Sequence, residues 1–183
     1  TTGSGRYLTG DFVGADLVVN EITAQAHAAA LIDPAVDTVF EIGGQDSKYI
    51  SLDKGVVVDF EMTHACAAGT GRFLEVLSTQ LGVRLASLGD MASRSRVPAI
   101  ISSMCVVFAE TEIIGLLASG STPADIVAGV QASIATRVAA MAGRTVTGPL
   151  VFTGGVALVP GMDAALETAL GHPLASAPEP QRT

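Results

Sequence analysis

A run of three short apolar segments, at residues 38–62, constrains the fold of this chain more than any other feature. β-Branched and aromatic side chains are frequent in segments 38–42, 48–52 and 56–62, and Asp53-Lys54-Gly55 separates the last two. A short polar connection that ends in glycine, between two β-branched runs, is typical of a tight hairpin. The run therefore predicts a three-strand meander.

The remainder of the chain is predicted to be mainly helical, with one further strand. Apolar residues recur at helical spacing, and Thr122-Pro123 is a typical helix start. Helices are predicted at residues 17–31, 66–81, 85–92, 104–118 (with Ser102-Ser103 as its cap), 123–141 and 162–170, a buried strand at residues 149–153, and a loop at residues 177–180. A meander followed by helices and a strand predicts an α/β domain with a mixed sheet.

Composition limits the classes of partner. The 183 residues suffice for one well-cored domain or for a lobe of a larger protein. A hydrophobic fraction of 49% with only 15% charged residues suggests that surface is buried against a partner, a second copy or a missing lobe. The net charge of −8 argues against nucleic acid and anionic membranes as partners. No signal peptide or membrane span is indicated, and two cysteines form no disulfide framework, so a reducing, cytoplasmic setting is expected.

Glycine pairs occur at three predicted strand–helix junctions. Gly43-Gly44-Gln45-Asp46 directly follows a predicted strand. Its glycines would let backbone N–H groups face phosphate oxygens, while Asp46 could position hydrated Mg²⁺ and Gln45 a water. The alternative is a tight hairpin with polar turn residues. Further pairs at Gly69/Gly71 and Gly154/Gly155 favour the nucleotide interpretation, because three such junctions are hard to explain as turns alone.

The two cysteines, Cys66 and Cys105, are each predicted in the first turn of a helix. There the helix dipole and unpaired N–H groups favour a thiolate. Two buried small apolar side chains are the alternative. Two thiolates are too few for a closed metal site, whereas a twofold dimer supplies four, which suits an iron–sulfur cluster or a zinc site. His64 is interpreted as a capping or surface residue rather than as a further ligand.

Four segments resemble the BadF/BadG/BcrA/BcrD ATPase family in order and spacing. Members of this family are activators of 2-hydroxyacyl-CoA dehydratases and ATPase subunits of benzoyl-CoA reductases. The segments are Glu41-Ile-Gly-Gly-Gln-Asp-Ser-Lys48, Cys66-Ala-Ala-Gly-Thr-Gly-Arg-Phe-Leu-Glu75, Cys105-Val-Val-Phe-Ala-Glu110 and Thr153-Gly-Gly-Val-Ala157.

The resemblance implies an actin-like, ribonuclease H-like ATPase fold that binds ATP and Mg²⁺. It also implies a homodimer, or paired homologous subunits, sharing one 4Fe–4S cluster ligated by Cys66 and Cys105 of each copy. ATP would drive one low-potential electron to an acyl-CoA dehydratase or reductase. By this likeness the nucleotide contacts are Gly43, Gly44, Gln45 and Asp46 in the second phosphate loop, Gly69, Thr70 and Gly71 in the next turn, and Gly154 and Gly155 in the adenosine loop, with Gln45 and Asp46 as the catalytic pair.

The chain also departs from the family pattern. The Asp-x-Gly first phosphate loop is not matched, so the likeness implies a second ATPase lobe at residues 37–176. Residues 1–36 would link it to the first lobe, and residues 177–183 would lead to a closing helix. Weak ATP binding and poor turnover are expected of such a piece. Glu41, in place of an aspartate, slightly favours the benzoyl-CoA reductase branch. An actin-like small-molecule kinase with structural cysteines and a zinc-bridged dimerisation module are the alternatives.

Overall fold

The computed structural model describes residues 1–63, 66–102, 105–143, 146 and 148–181. Within these ranges the chain forms five strands, seven α-helices and three short 3-10 turns. The strands are β1 (Thr38–Ile42), β2 (Ser47–Asp53), β3 (Val56–Met62), β4 (Leu150–Thr153) and β5 (Ala175–Ser176). The helices are α1 (Arg6–Val13), α2 (Glu21–Ile32), α3 (Gly71–Leu81), α4 (Leu88–Ala92), α5 (Val106–Ala118), α6 (Pro123–Met141) and α7 (Met162–Leu170). The 3-10 turns are Ala67–Gly69, Leu85–Ser87 and Gly155–Leu158.

The five strands form one mixed sheet in the order β3-β2-β1-β4-β5. β1 to β3 are antiparallel neighbours, whereas β4 is parallel to β1 and β5 is parallel to β4. The predicted meander and mixed sheet are confirmed. Lys54 and Gly55 both have positive φ angles, 52° and 78°, as a two-residue turn matching the twist of a hairpin requires.

Alternate residues of the central strands face two separate cores. Phe40 and Phe152 belong to the larger apolar cluster, which the sheet shares with α3, α5, α6 and α7. Val39 and Val151, one residue earlier in each strand, belong to a smaller cluster with α2. Successive side chains of a strand point to opposite faces, so the sheet has α2 on one face and helices α3 to α7 on the other.

The helix that links the first residues to the sheet begins later than predicted. Its N-cap is Asn20, whose side chain accepts the backbone N–H of Thr23 at 2.8 Å. Because a capping residue has extended backbone geometry, the helix cannot continue back to residue 17 as predicted. Helix α1 was not predicted, since Leu8 and Phe12 lie exposed on it and form no apolar face toward the core.

The remaining helices agree with the prediction more closely. The side chain of Thr122 caps α6 and Pro123 is its first residue, as predicted. α7 has the predicted bounds, and residues 177–180 form no helix or strand. Among the described helices, none combines the length and the hydropathy needed to cross a membrane.

Candidate nucleotide site and paired thiols

The loop at residues 43–46 connects β1 to β2 at one end of the sheet. The N–H of Gly43 donates to the carbonyl of Asp46 at 2.9 Å and closes the turn. Gly44 and Gln45 are exposed and Asp46 is half-buried. A Cβ added to Gly44 would meet no atom within 4 Å. The loop thus presents open backbone to the solvent where the sequence predicted a phosphate loop.

The start of α3 lies directly against this loop. The N–H groups of Gly71 and Arg72 donate to the carbonyls of Gly43 and Gly44, at 2.8 and 3.0 Å. Thr70, which is fully buried, caps the helix through its hydroxyl. The first backbone N–H groups of α3 therefore donate to the carbonyls of the loop. They do not face a thiolate, as the sequence suggested.

The third glycine junction, at Gly154 and Gly155, lies against the end of β1 and the start of α3. A Cβ on Gly154 would lie 2.4 Å from the carbonyl oxygen of Ile42, and a Cβ on Gly71 would lie 3.0 Å from Val156 and 3.2 Å from the carbonyl oxygen of Gly43. The three glycine segments, at residues 43–46, 69–71 and 154–155, therefore meet at one place. The first of them connects two antiparallel strands, and not a strand to a helix as predicted. Beside the last of them is a pocket of about 260 Å³ lined by Leu158 and residues 178–181.

A charge cluster formed by Glu41, Lys48 and Asp46 lies under the loop, and of these three only Asp46 was predicted to be a site residue. Nζ of Lys48 is 2.7 Å from Oε2 of Glu41 and 2.8 Å from Oδ1 of Asp46. Burial raises the pKa of Glu41 and outweighs the opposing effect of Lys48. Burial also opposes the charge of Lys48, but hydrogen bonds to Asp46 and Glu41 leave its pKa raised. One carboxylate oxygen of Asp46 is thus fixed by the lysine.

Two polar residues of α2 also lie near this end of the sheet. The hydroxyl of Thr153 donates to Oε1 of Gln25 at 3.3 Å. Glu21 lies 3.5 Å from Arg6 and adds a repulsion that contributes to the raised pKa of Glu41. The interaction of Glu21 with Glu41 depends on tertiary packing and could not be predicted from the sequence.

Both cysteines are free and exposed. Cys66 is the N-cap of the 3-10 turn Ala67–Gly69, and Cys105 is the N-cap of α5. The prediction that each thiol lies in the first turn of an α-helix is wrong. α3 starts only at Gly71, and α5 starts at Val106, directly after Cys105. The interpretation as buried apolar side chains is also wrong. His64 and Ser103 lie outside the described residues.

The two thiols are carried by neighbouring parts of the fold. α3 and α5 pack against each other, and both contribute to the larger core. Within residues 1–63, 66–102, 105–143, 146 and 148–181, no group of three or more His, Cys, Asp or Glu side chains could hold a metal ion. One chain therefore supplies two exposed sulfur donors and, in its described part, no complete ligand set.

The sequence model of the BadF/BadG/BcrA/BcrD ATPase family matches residues 1–182. The chain belongs to this family. It is 42% identical over 165 residues to the (R)-2-hydroxyglutaryl-CoA dehydratase activating ATPase of Acidaminococcus fermentans, and the match covers 90% of this chain and 64% of that protein. It is 32% identical over 168 residues to a benzoyl-CoA reductase component of Thauera aromatica, and this match covers 88% of this chain and 57% of that component.

A solved family structure has the same fold as this chain. The activator of the 2-hydroxyisocaproyl-CoA dehydratase from Clostridium difficile, with bound ADPNP, superposes with a TM-score of 0.92 at 37% identity, over 98% of this chain and 67% of that one. The actin-like ATPase fold is confirmed. This chain spans less than two thirds of the A. fermentans activator. Glu41 suggested a slight preference for the benzoyl-CoA reductase branch. The sequence identities do not support this preference, since the identity to the dehydratase activator is higher than that to the benzoyl-CoA reductase component.

Proposed function

We propose that this chain is the nucleotide-responsive, thiol-bearing part of an ATP-dependent activator. In this proposal two copies, or two homologous subunits, share one 4Fe–4S cluster through Cys66 and Cys105 of each. The pair passes a low-potential electron to an acyl-CoA dehydratase or reductase. Named relatives that are dehydratase activators and a reductase component support this class of partner.

The observation that carries the proposal is the setting of the two thiols. Both are free, exposed and located at N-caps of segments that belong to one packed unit. A free, exposed thiol is an unusual structural residue, since structural cysteines are generally buried. Four thiolates are the common ligand set of a 4Fe–4S cluster, and a second copy supplies the two that one chain lacks.

The helix that follows Cys105 adds support for a second copy. Val107, Phe108 and Ile114 on α5 are 68, 70 and 61% exposed. Contiguous exposed apolar residues of this kind typically mark an interaction surface. A dimer that joins the thiols would also bury this face of α5.

The glycine junctions supply the nucleotide half of the proposal. We infer that the 43–46 loop contacts the phosphates through its backbone, with Gln45 positioning a water and the free carboxylate oxygen of Asp46 facing hydrated Mg²⁺. Thr70 and Gly71 support the loop through hydrogen bonds, and Gly69 accepts one from Ser47 next to it. Gly154 with Gly155 borders the nucleoside side. The ADPNP-bound relative supports nucleotide binding by this fold.

The same contacts give the chain a route from nucleotide to thiol. When bound, the cluster supplies a one-electron carrier of low potential. Two contacts connect the region of the loop to the turn that follows Cys66. The Ser47 hydroxyl donates to the Gly69 carbonyl at 2.6 Å, and the Thr70 hydroxyl lies 3.3 Å from the Gly44 carbonyl. A change in the loop would therefore be transmitted to the turn that Cys66 caps.

Purification without oxygen tests the thiol half of the proposal. The expected result is a brown dimer that contains four iron atoms, whose visible absorbance is bleached by dithionite and is lost in Cys66→Ala and in Cys105→Ala. A colourless dimer with stoichiometric zinc would support a zinc-bridged module instead. A colourless, metal-free monomer that phosphorylates a small molecule would support a kinase. A Cys105→Ala variant that keeps the chromophore would overturn the shared site.

A glycine substitution tests the nucleotide half independently. Gly44→Ala introduces a methyl group into open space, so the fold should tolerate it while a phosphate loop should not. The control is Gly115→Ala on α5, where the added Cβ also meets nothing. Calorimetric titration with ADPNP should show weaker binding for Gly44→Ala alone, at an unchanged melting temperature. Equal binding by both variants would contradict a phosphate role for the loop.

A further inference from the structure

The segment at residues 95–102, here called the strap, leads from α4 toward Cys105. It contains no helix or strand, and Val97 and Ile100 are 73 and 85% exposed on it. An irregular, largely exposed segment is normally mobile unless specific contacts fix it. The contacts of the strap therefore decide how firmly the chain is held on its way to the thiol.

One carboxylate holds the beginning of the strap. Oδ1 of Asp125, in the first turn of α6, accepts hydrogen bonds from the Ser95 hydroxyl at 2.7 Å and from the N–H groups of Arg96 and Val97 at 2.9 and 3.1 Å. Its other oxygen accepts the Thr122 hydroxyl at 2.7 Å. Hydrogen bonds to an ionised acceptor are shorter and stronger than neutral ones. Asp125 thus joins three consecutive strap residues to α6.

The backbone of α6 holds the middle of the strap. The N–H of Ala99 donates to the carbonyl of Asp125 at 2.8 Å. A Cβ on Gly129 would lie 2.1 Å from the carbonyl oxygen of Ala99. Glycine at this position therefore allows the strap to lie directly on the helix.

A second carboxylate holds the end of the strap. Oε1 of Glu112, on α5, accepts the N–H and the hydroxyl of Ser102 at 2.8 and 2.6 Å. Ser102 was predicted to be part of the α5 cap, but it binds Glu112 in the second turn of that helix, while Cys105 occupies the cap position. The strap is thus fixed at both ends, and its last anchor is three residues before the thiol.

The segment that carries the other thiol is anchored differently. After Cys66, the chain is held by Ser47 through Gly69, and by the hydrogen bonds of Gly71 and Arg72 to the 43–46 loop. In the described part of the chain, the hydrogen bonds of the strap go to α4, α5 and α6, and none goes to that loop. The two thiols therefore rest on separate supports.

We propose that Asp125 and Glu112 are positioning residues for Cys105, and that they act separately from the glycine junctions that hold Cys66. The inference rests on the proposed pairing of the two thiols for its purpose. The strap can fix one thiol and not the other whether or not a cluster is bound. In this proposal, Cys66 is the thiol that is coupled to the nucleotide loop. Cys105 keeps a fixed position relative to α5 and α6.

The test compares the two thiols of the same molecule in the full chain without metal. The rate of iodoacetamide alkylation is measured for Cys66 and Cys105 separately by peptide mass spectrometry, together with hydrogen exchange of the strap amides. Asp125→Ala and Glu112→Ala should raise the alkylation rate of Cys105 several-fold, because the chain before it gains freedom, and should leave Cys66 unchanged. Ser47→Ala should have the reverse selectivity.

Three further variants separate positioning from general stability. Asp125→Asn and Glu112→Gln each keep one carbonyl acceptor for the strap and should give rates at Cys105 between those of the alanine variants and wild type. Asp163→Asn removes a carboxylate from the first turn of α7, where it binds the N–H of the next residue, and should change neither thiol. Equal changes at both thiols, or no change in any variant, would overturn the proposal.

The two proposals fail in distinguishable ways. If anaerobic protein contains no cluster but the selectivity of the thiols is as expected, the strap is a positioning device and the electron-transfer role is wrong. If the cluster is present and Asp125→Ala and Glu112→Ala leave the alkylation and exchange rates unchanged, the positioning role is wrong. Should Asp125→Ala fail to fold, Glu112→Ala decides the outcome alone.

Discussion

Lys48 and Glu41 form an ion pair of 2.7 Å whose side chains are only 7 and 9% exposed. The pair joins the end of β1 to the start of β2 and lies beneath the 43–46 loop, where Asp46 also contacts the lysine. A buried ion pair costs desolvation, and its value lies mainly in the penalty for removing one member. It therefore fixes the loop rather than adding much net stability.

Lys48→Met should destabilise the protein strongly, because it leaves Glu41 buried without its cation. The expected loss in the free energy of unfolding is about 3–5 kcal/mol. Arg72→Met breaks an ion pair of the same length, 2.7 Å, whose side chains are 59 and 49% exposed, and should cost about 0.2–1 kcal/mol. Urea denaturation at neutral pH measures both. Similar losses in the two variants would contradict this account.

Gly154→Ala and Gly155→Ala should differ sharply although the residues are adjacent. Gly154 has φ 89° and ψ 168°, a region open essentially only to glycine, so backbone strain alone should cost on the order of 1–3 kcal/mol. The clash with the carbonyl of Ile42 adds to this. At Gly155 the nearest atom is 3.6 Å from the added Cβ, and the melting temperature should change little. A melting temperature of Gly154→Ala within a degree of wild type would contradict the geometry.

Local signals predicted much of the fold. The Asp53-Lys54-Gly55 turn, the Thr122-Pro123 helix start and the period of the apolar residues in α6 each depend on a few neighbouring residues, and each is confirmed. The predicted helix starts near the two cysteines were too early, by five residues at α3 and by two at α5. Helix ends are set by which groups satisfy the first N–H donors, and at α3 those groups come from a distant loop.

The charges of the site and the contacts of the strap could not be predicted in the same way. Glu41 and Lys48 are seven residues apart on different strands, and their pairing follows from the register of β1 and β2. Asp125 looks like an ordinary first-turn carboxylate in sequence, and its contacts with Ser95 and Val97 exist only after α6 packs under the strap. These contacts need the tertiary structure.

Gly129→Ala should reverse the usual effect of replacing a glycine inside a helix. Alanine favours a helix by about 1 kcal/mol over glycine, so Gly115→Ala, where the new Cβ meets nothing, should stabilise α5 by roughly that amount. At Gly129 the new Cβ would collide with the carbonyl of Ala99, and either the strap or α6 must move. Thermal unfolding should show opposite shifts for the two variants. A stabilised Gly129→Ala would mean that the strap does not lie on α6.

The stability that Asp125 contributes should disappear in acid. The hydrogen bond from Thr122 holds the pKa of Asp125 well below its usual range, followed in effect by Ser95 and the N–H groups of Val97 and Arg96. A carboxyl whose folded-state pKa is depressed contributes fully above its unfolded-state pKa, about 3.9, and loses the contribution as the pH falls toward the folded-state value. The difference in unfolding free energy between wild type and Asp125→Asn should thus be constant near pH 7 and shrink below about pH 4. In Thr122→Val, which removes the largest contribution to the low pKa, the decline should begin at the same pH, be smaller in total and end at a higher pH. A difference that stays constant down to about pH 2.5 in both backgrounds would show that the ionised carboxylate is not what holds the strap.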